Sequence, residues 1–286
     1  MEVRLAARPG AGEVTVRRAR IETHQIAYEE RGAGEPVVFI HAGLCADWFA
    51  NLMDEPALAG AYRLIRCHRP GYGDSDRIDG PVTVARLAHH CAALLRYLGI
   101  ERAHLVGHSS SAVIALQLAI DRPDLVSSLA LLETALLAIP SGQFAADAMR
   151  AYLDGDPTAA VDRWMRGVGG SGYRDLFDAV LPGAIERAET DAGTFFGQEL
   201  PAVRAWAFGR AEAGAIGCPV LLVVGERSKD LSPVFDERHA LLRAWLPRAE
   251  SFELPGANHL MHLQNPGGLA ERLAAFLSRH SAGRSR

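Results

Sequence analysis

A serine hydroxyl becomes a useful nucleophile only where a base can take its proton and the backbone presents the oxygen to a substrate. Residues Gly107-His108-Ser109-Ser110-Ser111 offer such a place, because a strand-like run ends here and a helical pattern begins. A tight strand–turn–helix holds its central residue in a strained conformation, and bulk two positions away on either side would collide. Gly107 and Ser111 flank Ser109 at those positions. The common form is GxSxG, and Ser111, standing where the second glycine is usual, is still small. Such a turn lifts Ser109 Oγ clear of the carboxyl ends of the strands, where open α/β sheets place their sites. It also aims the Ser110 N–H and the positive end of the next helix at developing negative charge.

The surrounding pattern supplies the elements that must hold this turn. Val14–Ile21 and Gln25–Glu29 read as two strands around a turn near residues 22–24. Pro36–His41 (PVVFIH) is a continuous apolar run, as expected of a strand buried on both faces. Further strands are expected at Tyr62–Cys67, Ala103–Val106, Ser128–Leu132, Pro219–Val224 and Glu250–Leu254. Between them, Thr83–Leu98 carries apolar residues at helical spacing, with Thr83 as N-cap and Gly99 as stop. Helices are also expected after Ser109 up to Pro123, from Pro233 to Leu246, and from Pro266 to Arg279. Strands alternating with helices predict an α/β fold with a doubly wound, mostly parallel central sheet and right-handed crossovers.

Residues 137–215 break that alternation. They hold helical patches (Ala145–Leu153, Ala159–Arg166, Tyr173–Val180) divided by Gly- and Pro-rich turns, with no apolar strand run. The organisation predicted is a flexible lead-in at 1–13, a first core part at 14–136, an inserted helical cap at 137–215, a second core part at 216–280 and a flexible tail at 281–286.

Composition narrows the classes of function. The chain of 286 residues is 49% hydrophobic and 22% charged, with a formal net charge of -4, ordinary for a globular protein with a sizeable core. No basic stripe suggests nucleic acid, and no apolar stretch approaches the roughly 20 residues that cross a bilayer. Cys45, Cys67, Cys91 and Cys218 are scattered, with neither a CxxC pair nor zinc-like histidine spacing. No apolar leader stands at the N-terminus. These features predict a cytoplasmic protein with free thiols, no metal and no organic cofactor.

With GHSSS, PVVFIHAGLCADW, RPGYGDSD and LPGANHLMH on the page, the chain resembles the α/β-hydrolase superfamily along nearly its whole length. The resemblance implies an oxyanion loop at His41-Ala42-Gly43, with the Gly43 N–H as partner of the Ser110 N–H, although Ala42 replaces a usual glycine. It implies that His259, in the loop after the last strand, is the base, with Asn258 in place of a frequent glycine; His262 is the nearby alternative. Many relatives place the orienting acid after the strand matching Pro219–Val224, where this chain has Ser228. Glu133, closing LALLET, matches the position used in other branches, the haloalkane-dehalogenase-like ones among them, and Asp230 is the alternative. A carboxylate there would fix the imidazole tautomer. Asp74 and Asp76 of RPGYGDSD are read as caps for backbone groups.

Dehalogenases and epoxide hydrolases of this fold need an aspartate nucleophile, and Ser109 stands there instead. The expectation is a serine hydrolase cleaving a small, largely apolar ester, lactone or thioester through an acyl-enzyme. A carbon–carbon hydrolase of β-diketone-like substrates, a small-molecule sensor, or a cyclase or acyltransferase would use the same residues. Leu44 and the cap aromatics Trp164, Tyr173, Phe195, Phe196 and Trp206 are the candidate pocket lining. No arginine cluster suggests a highly charged substrate.

Overall fold

The computed structural model describes residues 3–4 and 15–281. Its nine strands are β1 (Val3–Arg4), β2 (Thr15–Ile21), β3 (His24–Arg31), β4 (Glu35–Ile40), β5 (Tyr62–Cys67), β6 (Ala103–His108), β7 (Val126–Leu132), β8 (Val220–Gly225) and β9 (Glu250–Leu254). They form one sheet in the order β1-β2-β3-β5-β4-β6-β7-β8-β9. The first strands pair antiparallel, and from β5 to β9 every pairing is parallel. This is the doubly wound sheet the pattern predicted. Every residue of β6, β7 and β8 is buried, as strands covered by helices on both faces must be.

The pleat divides the core in two. Val37 and Phe39 of β4 pack into one apolar cluster, while Val38 and Ile40 pack into the other, on the opposite face. The helix Val84–Tyr97 begins where Thr83 caps it, its hydroxyl accepting from Arg86 N–H at 3.1 Å, and Gly99 follows its end at φ +66.

Three expectations need correction. The lead-in placed at 1–13 contains Val3–Arg4, which pair antiparallel with β2; its other residues, like 282–286 of the tail, lie outside the described residues. The strand expected to end at His41 ends at Ile40, because the His41 imidazole bonds into the following loop. The strand expected at Ser128–Leu132, just before Glu133, is longer than expected, since β7 starts at Val126.

Between β7 and β8 the described residues contain helices and no strand, as expected. Besides Gln143–Leu153, Pro157–Gly169 and Tyr173–Val180, the segment holds the short helices Ala184–Thr190, Leu200–Ala205 and Arg210–Gly214 and a π turn at Phe195–Glu199. Their brevity leaves too few turns for a visible apolar period. The RPGYGDSD turn is where this segment is fastened. Arg69 Nη2 and the Tyr72 hydroxyl donate to Glu199 Oε2 at 2.7 and 2.5 Å, and Gly73 N–H donates to Asp191 at 2.8 Å. Asp76 accepts from Gln25 N–H at 2.7 Å, the backbone-capping role expected of it. No helix among the described residues is long and apolar enough to cross a membrane.

Candidate active site

Four non-glycine residues in the described chain have φ between +42 and +69, and three of them meet at one place: Ser109 (φ 55), Leu44 (φ 69) and Glu133 (φ 42). Strain of this kind persists only where the surroundings fix it, and it clusters at functional sites. Ser109 lies between β6 and the helix Ser110–Asp121. A Cβ on Gly107 would stand 2.7 Å from Ala112 Cα and 2.8 Å from Ser111 O, so only glycine lets strand and helix approach this closely. Ser111 uses its hydroxyl where glycine is usual. It accepts from His108 N–H at 2.9 Å and lies against the Ile40 and His108 carbonyls, tying the turn to β4.

The loop after β4 is held from several sides. His41 Nδ1–H donates to Ala42 O at 2.7 Å, and its Nε2 accepts from Arg69 N–H at 2.9 Å. Burial and then the Arg69 charge hold this imidazole well below its ordinary pKa, so the ring is neutral, as that bonding requires. Trp48 Nε1–H donates to Gly43 O at 3.0 Å, and Gly43 N–H donates to Ser110 Oγ at 3.1 Å. Gly43 has no positive φ; it is small because a Cβ would run into the Phe195 ring at 2.1 Å. Cys45 is buried here, and burial with the Asp47 charge pushes its thiol up to about 12, which fits a packing role.

His259 is 95% buried in the loop after β9, its exposure being 5%. Its Nδ1–H donates to Glu133 Oε2 at 2.6 Å. The other oxygen, Glu133 Oε1, accepts from Gly225 N–H at 2.7 Å and from the Ser228 hydroxyl. A carboxylate with three donors around it is fixed in place, and it leaves His259 Nε2 as the unprotonated nitrogen. Asp230, the alternative acid, is exposed, lies 3.7 Å from Arg227 and makes no hydrogen bond to His259. Ser228, at the position where many relatives place the acid, therefore donates to the Glu133 carboxylate just after β7.

His262, the alternative base, is fully buried against Trp48, and both its ring nitrogens lack partners among the described residues. His108 Nε2–H donates to His259 O at 3.0 Å, holding the His259 backbone in place. Burial first and the neighbouring His259 second hold His108 and His262 well below the ordinary imidazole pKa. Asn258 also replaces a frequent glycine for a reason: its side chain donates to Gly169 O at 3.1 Å and accepts from Leu260 N–H at 2.9 Å.

Gly43, Ser109, Ser110 and His259 line one cavity, together with the expected Leu44, Trp164 and Phe195. Three expected lining residues stand elsewhere. Tyr173 is buried with its hydroxyl on Asp162 at 2.8 Å, Phe196 stacks on Tyr152, and Trp206 stacks on Phe208 and donates to Gln117 at 2.7 Å. Aromatics at helical spacing fill a helical core as readily as a pocket, and sequence alone does not separate the two. Trp48, Ser228 and Arg238 belong to the site and were not anticipated; Arg238 also lines the cavity. The free volume is about 30 Å³, room for roughly two waters where one needs about 10–15 Å³. Among the described residues no group of three His, Cys, Asp or Glu side chains could hold a metal ion.

Residues 37–272 match the model of the alpha/beta hydrolase family. The chain belongs to that family. Among curated relatives of this hydrolase is a Klebsiella pneumoniae protein named as a carbamate hydrolase, 28% identical over 263 residues, covering 85% of this chain and 93% of that one. An acetyltransferase component of the acetoin cleaving system from Cupriavidus necator is 39% identical over 116 residues, which span 40% of this chain and only 30% of that longer protein. An enol-lactonase from Burkholderia xenovorans superposes with a TM-score of 0.76 at 20% identity, covering 92% of this chain and all (100%) of that one. An esterase from Thermogutta terrifontis superposes at 0.74 with 20% identity, covering 98% and 100%. These two share the fold.

Proposed function

We propose that this hydrolase works through a serine nucleophile on a small ester, lactone or thioester. His259 Nε2 takes the proton of Ser109 Oγ as that oxygen attacks the substrate carbonyl. Glu133 keeps the imidazole in the required tautomer and stabilises the imidazolium that forms. Gly43 and Ser110 N–H groups receive the oxyanion. For the Gly43 donor to serve, the Ser110 hydroxyl that accepts from it at 3.1 Å must swing aside. His259 then protonates the leaving group, the acyl group stays on Ser109, and a water activated by His259 releases it.

The observation that carries this reading is the 2.6 Å bond from His259 to Glu133 beside a serine held at φ 55 in the same cavity. The lining is mostly apolar, which favours small apolar acyl or ring groups. Because the free volume is small, the aromatic walls must give way as a substrate enters. Short-chain chromogenic esters test the proposal: wild type should turn them over and Ser109→Ala should not, with both proteins melting alike. Equal turnover by the two would remove Ser109 from the mechanism.

A further inference from the structure

Among the described residues, three arginines are buried: Arg66, Arg69 and Arg238. Arg66 pairs with Glu29 and Asp47, and Arg69 pairs with Glu199. In both, burial works against the charge, yet the carboxylates outweigh it and the guanidinium pKa rises. Arg238 is different. At 6% exposure it has no carboxylate of the described chain within 4.0 Å. Burial pulls its pKa down to about 10, the fields of Glu133 and Glu237 offsetting only part of the effect, so it remains charged at neutral pH.

The position of this charge is informative. Arg238 lies on the helix Val234–Trp245, on the same stripe as Val234, Phe235 and Leu242, so it faces the core rather than solvent. Its Nε and Nη2 donate to Ile139 O at 3.0 and 2.6 Å, and Nη2 reaches Ser141 Oγ at 2.8 Å. Nη1 makes no hydrogen bond with the described residues. Arg238 is also the only Arg, Lys, Asp or Glu among the residues lining the cavity that holds Ser109 and His259. The carboxylate whose charge acts on it most, Glu133, is already bonded to His259, Gly225 and Ser228. A buried charge without a counterion is unfavourable, and a ligand anion would supply one. Arg238 lines this cavity with Nη1 free of hydrogen bonds to the described residues, and an arginine nitrogen of that kind binds a carboxylate oxygen well.

We propose that Arg238 binds a carboxylate of the substrate, so that the scissile ester or lactone belongs to a molecule that also carries an acid group. This rests on the serine-hydrolase reading, which it narrows. A purely structural role, stapling Ile139 and Ser141 to the helix, would account for Nε and Nη2 but would be indifferent to substrate charge.

Matched substrates separate the two. Mono-4-nitrophenyl adipate against 4-nitrophenyl hexanoate places the acid on the acyl side, and 4-acetoxybenzoate against 4-acetoxybenzamide places it on the leaving group. For at least one pair, wild type should favour the acid in kcat/KM by about 10- to 100-fold, the range of one charge-assisted hydrogen bond. Arg238→Gln should abolish the preference, read as the ratio of kcat/KM between the two partners of a pair, and Arg238→Lys should restore part of it. Equal loss on both partners, or no preference in wild type, overturns the proposal. If no ester is cleaved at all, the hydrolytic reading has failed instead, and binding still decides the role of Arg238. In that case adipate or 4-hydroxybenzoate should raise the melting temperature of Ser109→Ala but not of Ser109→Ala with Arg238→Gln; identical responses would refute the site.

Discussion

Replacing Glu133 by Gln keeps the size of the side chain and changes one oxygen into a donor, which makes it the sharpest probe of the assigned acid. In the native site, Oε2 accepts from His259 Nδ1–H at 2.6 Å, and Oε1 accepts from Gly225 N–H at 2.7 Å and from Ser228. An amide has one acceptor oxygen. If that oxygen keeps Gly225 and Ser228, the NH2 faces His259 Nδ1 and forces the proton onto Nε2, which can then no longer accept from Ser109. If the oxygen turns to His259 instead, the NH2 confronts the Gly225 N–H, donor against donor. The first arrangement keeps two bonds and should prevail, leaving the base in the wrong tautomer. Loss of the tautomer in a serine triad lowers kcat by about 10⁴, which is about 5.4 kcal/mol at about 1.36 kcal/mol per tenfold. Steady-state kcat on a short chromogenic ester reads the effect, with a melting curve to show that the variant is folded. Asp230→Asn, at the exposed site beside Arg227, should stay within about twofold of wild type. A Glu133→Gln enzyme retaining more than a tenth of wild-type kcat, or an Asp230→Asn enzyme falling as far, would refute the assignment.

Three further outcomes are expected. Glu199→Ala leaves Arg69 buried without its carboxylate and frees the Tyr72 hydroxyl, so urea unfolding should show a loss of about 3–5 kcal/mol; a loss below about 1 kcal/mol would mean that this fastening of the helical segment is dispensable. Gly107→Ala drives a Cβ to 2.7 Å from Ala112 Cα, so the helix must move off β6; soluble yield and ester turnover should both collapse, and a well-folded active variant would contradict the geometry. His262 is held neutral by burial, its folded pKa lying below the unfolded value of about 6.5. The unfolded chain therefore binds the extra proton first, and this residue's contribution is complete above about pH 6.5 and lost as pH falls. His262→Leu should flatten the acid decline in stability by up to about 1.4 kcal/mol per pH unit below that point, measured by urea unfolding from pH 7 to 5; an unchanged slope would refute it.

The parallel strands were legible because burial on both faces leaves unbroken apolar runs such as PVVFIH, and the Ser109 turn because sterics restrict its flanks to small residues. His259 could be placed by local order along the chain. The acid could not be fixed that way. Whether Glu133 or Asp230 meets the imidazole depends on a positive φ at 133 and on donors from Gly225 and Ser228, which come from another strand and its loop. The short helices from Ala184 onward lack the length to show a period, and Tyr173, Phe196 and Trp206 carry the same pattern whether they face a cavity or each other. One signal in the sequence was readable and passed over: Arg238 stands on the apolar stripe of its helix, between Phe235 and Leu242, where a charge calls for a partner.

The central claim is that one hydroxyl is activated at the bend between β6 and its helix. Incubating the folded protein with a fluorophosphonate and fragmenting the labelled peptide tests this directly, because only an activated serine reacts. One adduct per chain, located on Ser109 and greatly slowed in Glu133→Gln, is the expected result. An adduct on Ser110 or Ser111, or no labelling of a protein that hydrolyses esters, would contradict it.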